Sequence, residues 1–247
     1  MKHLLFVVCS LLQFQYAQTQ VAENILKEAE QKVRGNTSYS EVNIQIIRPS
    51  WKRYMSMKAW GKGNDYAIIL ITSPAHDKGT VFLKRKKEVW NWVPSIERTI
   101  KLPPSMMQQS WMGTDFTNSD LVREDSYVND YSSAITGDST IEGRDCYKIT
   151  LLPKPHAGVV WGKVICFISK KDLLELRLEF FDEDGYLVNI MNATDIKTLG
   201  GRTLPAKLEM IPQDKPGQKT IMIYQNLLFD KPVDESFFTI QNMQRIK

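Results

Sequence analysis

The chain has 247 residues, 43% of them hydrophobic and 24% charged, an ordinary globular composition at a length that all-β sandwiches and barrels reach as one domain. Its formal charge of +4 is too mild for a nucleic-acid-binding protein, which concentrates basic residues in a footprint. The one basic cluster, Lys84, Arg85, Lys86 and Lys87, stands between two strand-like runs and reads as a solvated hairpin turn.

Residues 1–20 open with a basic start and an apolar run from Leu4 to Leu12, too short to span a bilayer. The pattern is that of a secretory signal peptide with cleavage between Ala17 and Gln20. Cys9 has too little apolar length before it for a lipoprotein cleavage box, so no lipidated N terminus is expected. Residues 21–247 then form the exported domain.

Val21 to Arg34 reads as an amphipathic helix, with Val21, Ile25, Ala29 and Val33 recurring on one face and Gly35-Asn36 as stop residues. The period then changes to two. Val42, Ile44 and Ile46 alternate in one run, and Met55, Met57 and Ala59 in the next. Ile68 to Ile71 is continuously apolar, as in a strand covered on both faces. Further strand-like runs are TVFLKR, KEVWNWVP and ERTIKLP. Pro103 to Asp130 breaks the pattern and suggests one or two short helices, with Asp115 or Ser119 as caps. From Tyr131 strands return to the end, with turn signals at Glu142-Gly143, Asp184-Gly185, Gly200-Gly201 and Pro216-Gly217. Asp-Gly between alternating runs marks a hairpin with positive φ at both central positions. About a dozen antiparallel strands, one N-terminal helix and one helical insert make a single α+β domain.

Cys146 and Cys166 lie in consecutive strand-like runs around a turn near His156, which would bring them nearly opposite each other. Two readings stay open, a cross-strand disulfide and two buried free thiols. Scattered histidines and the lack of a CxxC pair argue against a metal site. Nucleophile elbow, zinc-protease HExxH, Walker and dinucleotide motifs are all missing from the sequence. His76 and His156 fall in turns, and Asp182 to Gly185 lacks the later ligands of a calcium loop. The chain therefore reads as non-enzymatic, with no cofactor; an envelope hydrolase is a distant third reading.

Apolar and aromatic material is in surplus, with six tryptophans and ten methionines. Sheet core is the plain reading of Trp51, Trp60, Trp90 and Trp92. The segment carrying Met106, Met107, Trp111, Met112 and Phe116 stands where a short polar turn would suffice. Flexible, polarizable methionine suits a surface that repacks around varied partners. The segment reads either as a movable lid over a greasy ligand or as a plug for the open face of the sheet. A sixteen-carbon chain represents roughly 12 kcal/mol of exposed hydrocarbon, so an acyl chain needs a protein to shield it across water.

The block from Ser73 to Leu121 resembles the LolA-like family of periplasmic outer-membrane lipoprotein-sorting proteins. Pro74, Lys78-Gly79, Trp90, Pro94, Arg98, Met107, Ser110-Trp111-Met112-Gly113 and Asp115-Phe116 carry the resemblance. The opening helix, the Tyr39 strand and the VDESFFTIQ close from Val233 extend it over nearly all of residues 21–247. It implies a strongly curved antiparallel β-sheet, an open half-barrel like LolA and LolB, covered by the N-terminal helix and the helical insert. It implies a periplasmic carrier of acylated lipoprotein or other lipid cargo, served by an inner-membrane transporter or permease, with transient membrane-surface contact. On that basis Met106, Met107, Trp111, Met112 and Phe116 are the lid, and Trp90, Trp92 and Arg98 belong to the cavity or its support. The other reading is a module of an envelope efflux or export permease that carries no lipid.

Overall fold

Period-two alternation produces the expected strands, and pairing them leaves one very long sheet. The computed structural model describes residues 20–122, 127–155 and 157–246. The signal-peptide reading, Cys9 and His156 lie outside the described residues. Thirteen strands run β1 (Thr37–Ile47), β2 (Lys52–Lys62), β3 (Tyr66–Ser73), β4 (Val81–Arg85), β5 (Glu88–Val93), β6 (Arg98–Leu102), β7 (Tyr131–Ile141), β8 (Arg144–Pro153), β9 (Lys163–Ser169), β10 (Glu175–Phe181), β11 (Leu187–Leu199), β12 (Arg202–Pro212) and β13 (Lys219–Phe229). Their order in space is β6-β5-β4-β3-β2-β1-β13-β12-β11-β10-β9-β8-β7. Every described pairing is antiparallel. The sheet does not close, so β6 and β7 are its edges, and it curves into a half-barrel.

The concave face carries the main core. Helix α1, residues 20–34, buries Ala22, Ile25, Leu26 and Ala29 against Val42, Ile44, Met57, Ile69 and Met222. The buried stripe is rotated from the expected one: Val21 is half exposed, and Ala22 and Leu26 take its place. A stripe of positions i, i+3, i+4 and i+7 faces a concave surface better than a single row spaced by four.

β3 is covered on both faces, as its continuous apolar run predicts. Ile69 and Ile71 enter the concave core. Ile68 and Leu70 pack on the convex side with Leu83, Phe238 and Met243. The C-terminal segment supplies this second cover through α4 (Ile240–Met243) and the 3-10 turn Glu235–Phe237. Phe237 lies 5.6 Å from Trp60, and Phe238 lies 5.6 Å from Tyr66. Trp51 departs from the core reading: it sits half exposed beyond β1, with the Arg48 guanidinium 5.8 Å from its ring.

The remaining concave surface is closed by the insert between β6 and β7. Its core is a miniature hairpin in which Ser110 bridges Thr117 and the Trp111 N–H donates to the Phe116 carbonyl at 2.9 Å. Met112 and Gly113 turn it with φ of 49° and 79°; glycine adopts this conformation without the steric cost that a Cβ brings. Trp111 is fully buried, its ring 5.5 Å from Phe82. Helix α2 (Asn118–Val122) follows. Its cap is Thr117, not Asp115 or Ser119. The Thr117 hydroxyl accepts from the Asp120 N–H at 3.1 Å while the Asp120 carboxylate accepts from the Thr117 N–H at 2.8 Å, a reciprocal capping box. Helix α3 (Tyr127–Asp130) leads into β7.

Asp115 has a different task. Arg48 donates to its carboxylate at 3.0 Å and to the Gly113 carbonyl at 2.9 Å. The Thr220 hydroxyl donates to the same carboxylate at 2.7 Å and accepts from the Asp115 N–H at 2.9 Å. Arg53 adds a bond to the Met112 carbonyl at 3.3 Å. The hairpin tip is thereby pinned to β13 and to the β1–β2 connection. The Arg48 and Asp115 side chains are only 12% and 7% exposed, so removing one strands the other in a poorly hydrated place. Asp115→Ala should lower unfolding free energy by about 3 kcal/mol in denaturant titrations, and adding Arg48→Met should recover part of the loss. Equal stability of Asp115→Ala and wild type would show that the pin is idle.

Candidate functional site

Between α1, the insert and the concave sheet remains a cavity of about 270 Å³, just below the roughly 300–1,000 Å³ typical of ligand pockets. Its floor is apolar: Val42 on β1, Met57 and Ala59 on β2, Ile69 on β3, and Met210 and Met222 on β12 and β13. Leu178, Phe180 and Met191 form the far wall. Ala29 and Val33 of α1 form one side, with Phe116, Leu121 and Tyr127 from the insert region.

A further contribution comes from Trp161, in the connection between β8 and β9. This connection is not the tight hairpin expected. It runs from Lys154 to Gly162 and returns against β10, where the Gly162 N–H donates to the Phe181 carbonyl at 3.0 Å. A Cβ on Gly162 would lie 2.4 Å from the Asp182 carbonyl oxygen, so only glycine allows this approach. The approach sets Trp161 against Phe180, ring centres 5.0 Å apart, on the cavity wall.

The same connection separates the two cysteines. Cys146 pairs with Ser169, while Cys166 pairs with Ile149. Three residue pairs at about 3.4 Å each separate them along the ladder, and an odd offset puts them on opposite faces. A disulfide needs Cα atoms within about 7 Å. Both are buried free thiols, and burial raises their pKa, for Cys166 well above the ordinary value. They are inert packing groups.

Of the five insert residues expected to form a lid, Phe116 alone lines the cavity. Met107 and Trp111 are buried in the main core behind it, with Met106 and Met112 packed against that core. Trp90 and Trp92 lie on the other side of the sheet, packed on the convex cluster beneath the C-terminal segment. The alternation of β4 and β5 decides this: Trp90 pairs with Leu83, whose neighbour Phe82 faces inward. Arg98 is exposed on edge strand β6, away from the cavity. The arginines bonded to the insert are Arg48 and Arg53.

Ionisable groups also reach the cavity. Glu30, Lys32 and Arg34 come from α1, Asp120 from α2, Glu175 from β10 and Lys84 from β4. Burial raises the Asp120 pKa above its ordinary 3.8, opposed by its bonds to Thr117 and by the nearby Trp161 indole. The Trp161 N–H faces that carboxyl without closing a full hydrogen bond. Burial likewise keeps the Tyr127 phenol neutral, with a pKa well above 10.0. Lys84 corrects the solvated-turn reading: it is 3% exposed, whereas Arg85, Lys86 and Lys87 are exposed. Its two-residue spacing from inward-facing Phe82 was the available sign. Trp161 carried no comparable signal, because its position depends on the long return of the β8–β9 connection. Among the described residues no group of three or more His, Cys, Asp or Glu is placed to hold a metal ion.

Several solved structures share this architecture. A DUF1329 family protein from Desulfovibrio piger superposes with a TM-score of 0.84 at 22% identity, covering 92% of this chain and 99% of its own. A domain from Vibrio parahaemolyticus described as an outer membrane lipoprotein-sorting protein gives 0.82 at 17% identity, covering 92% and 100%. A LolA superfamily protein from Nitrosomonas europaea gives 0.77 at 21% identity, covering 89% and 98%. No match is found among curated proteins. A family model described as "Uncharacterized protein"-like matches residues 63–245. The chain belongs to that family, and its half-barrel is the LolA-like fold of the lipoprotein-sorting proteins.

Proposed function

We propose that the protein is an exported periplasmic carrier that binds acyl chains of lipoproteins or other lipids and moves them toward the outer membrane. The observation that carries this reading is the cavity of about 270 Å³ left between an apolar concave sheet, α1 and the insert. Such a space is suited to hydrocarbon: its floor is Val42, Met57, Ala59, Ile69, Met210 and Met222, and each CH₂ moved there from water gains about 0.8 kcal/mol. Methionine side chains can repack as chains of different length enter. The likeness to lipoprotein-sorting proteins supports the reading at the level of the fold.

In this scheme Phe116, Leu121 and Tyr127 touch the cargo, while Met106, Met107, Trp111 and Met112 hold them in place. Cargo is received from an inner-membrane transporter and released at the outer membrane, with transient contact at each membrane surface. The scheme needs no catalytic group and no cofactor.

Filling the cavity tests this without disturbing the pin. Ala59 lies on the floor between Ser40 and Ile69, so Ala59→Trp should place an indole where the acyl chain goes. Binding of a fluorescent fatty acid should weaken about tenfold or more, as expected when several buried CH₂ groups are displaced, with the thermal transition retained. Undiminished binding in a folded Ala59→Trp protein would place the ligand elsewhere. Asp120 gives a second check. Because its folded pKa is raised, its ionisation opposes folding. The cost is absent below the ordinary value of 3.8 and grows as pH rises through the raised one. Asp120→Asn keeps an acceptor for the Thr117 N–H, so melting curves should show it losing this decline in stability with pH; an unchanged pH profile would contradict the assignment.

A further inference from the structure

Among the described residues, five buried side-chain atoms have no hydrogen-bond partner: Arg53 Nε, Asn91 Oδ1, Trp111 Nε1, Ser133 Oγ and Trp161 Nε1. Of these five residues, Trp161 alone lines the cavity. An indole N–H donates and cannot accept, and a buried donor left unmet costs free energy. The Asp120 carboxyl that it faces accepts from the Thr117 N–H at 2.8 Å and closes no bond with the indole.

Trp161 is also held in place. It is 8% exposed, its ring packs on Phe180, and its carbonyl accepts from the Tyr131 hydroxyl at 3.4 Å. The next N–H, that of Gly162, donates to the Phe181 carbonyl. Turning the indole toward another acceptor would give up this packing. A fixed donor on the wall of an apolar space is best met by an acceptor that arrives with the ligand. A carboxylate suits it poorly. Asp120 and Glu175 both line the cavity and both act on the Tyr127 phenol, so an incoming anion would meet like charge. A neutral carbonyl accepts a hydrogen bond without that repulsion.

We infer that the cavity takes a neutral acyl ester or amide, whose carbonyl oxygen accepts from the Trp161 N–H while its hydrocarbon lies on the floor of Met57, Met210 and Met222. The inference rests on the carrier reading and narrows its cargo to chains whose carboxyl carbon is esterified or amidated.

The test titrates the wild-type protein with methyl laurate, N-methyl lauramide, laurate and the hydrocarbon tridecane, reading affinity from displacement of a fluorescent fatty acid. Proton–nitrogen correlation spectra follow the six tryptophan indole signals; that of Trp161 is the one lost in Trp161→Phe. The ester or amide should move the Trp161 N–H proton downfield, and laurate and tridecane should not; the larger shift tells which linkage the site prefers. Trp161→Phe, checked by thermal melting, should bind the preferred ligand about tenfold more weakly, as expected when a buried acceptor loses its donor, and tridecane no more weakly. Equal weakening for ester, amide and hydrocarbon, or none for any, would reduce Trp161 to packing. A shift with laurate as large as that with the ester would reject the neutral carbonyl. Either result overturns the inference and leaves the carrier reading intact. Should Trp161→Phe fail to fold, the shifts in the wild-type spectra decide by themselves. A wild type that binds neither the fluorescent fatty acid nor any of the four ligands would remove both.

Discussion

The pin formed by Arg48, Asp115 and Thr220 is the constraint on which the cavity depends. A thirteen-stranded half-barrel exposes more concave apolar surface than one fifteen-residue helix, residues 20–34, can cover. The insert supplies the rest, but it is short, irregular and turned by positive-φ residues. Its backbone groups must find partners before it can be buried. Arg48 satisfies the Gly113 carbonyl and the Asp115 carboxylate together, and Thr220 satisfies both the N–H and the carboxylate of Asp115. With the tip fixed, Trp111 lies buried on Phe82, and Phe116 is set at the cavity edge. The tip of the methionine-rich segment is thus bonded to β13 and to the β1–β2 connection.

Much of this architecture is written in side-chain periodicity. The alternation of Val42, Ile44 and Ile46, the continuous run Ile68 to Ile71, and the turn signals at Glu142-Gly143 and Gly200-Gly201 all correspond to local geometry that neighbouring residues dictate. Asp184-Gly185 differed because only Gly185 takes positive φ; the Tyr186 N–H bonds the Asp182 carboxylate instead, giving a longer loop than a two-residue turn. The site was less legible, since its residues meet only through long-range pairing. Trp90 and Trp92 resemble cavity residues until strand register assigns them to the convex face. Arg98 lies in the block that resembles the family, yet the insert is held by Arg48, some fifty residues earlier in the chain. Cys146 and Cys166 seemed opposed only on the assumption of a simple hairpin, which the return of the chain through Gly162 replaces.

Two features of the cavity work together in the proposed carrier. The floor contributes non-directional affinity for hydrocarbon, which tolerates chains of different length. Charged groups from α1, α2 and β10, among them Glu30, Asp120 and Glu175, border this apolar floor. The C-terminal cover on the convex face, with Trp60, Trp90, Trp92, Phe237 and Phe238, stiffens the β2–β5 wing that carries Ala59, Ile69 and Lys84. Rigid support behind the floor and methionines within it allow the cavity to adapt without opening the sheet.

The central claim is that this cavity holds an acyl chain in the cell. Native mass spectrometry with lipid extraction, on protein isolated from its own envelope without detergent, addresses it directly. The account predicts a bound acylated species on the wild-type protein that is absent from folded Ala59→Trp. Wild-type protein that is lipid-free and isolates with a membrane permease would contradict it.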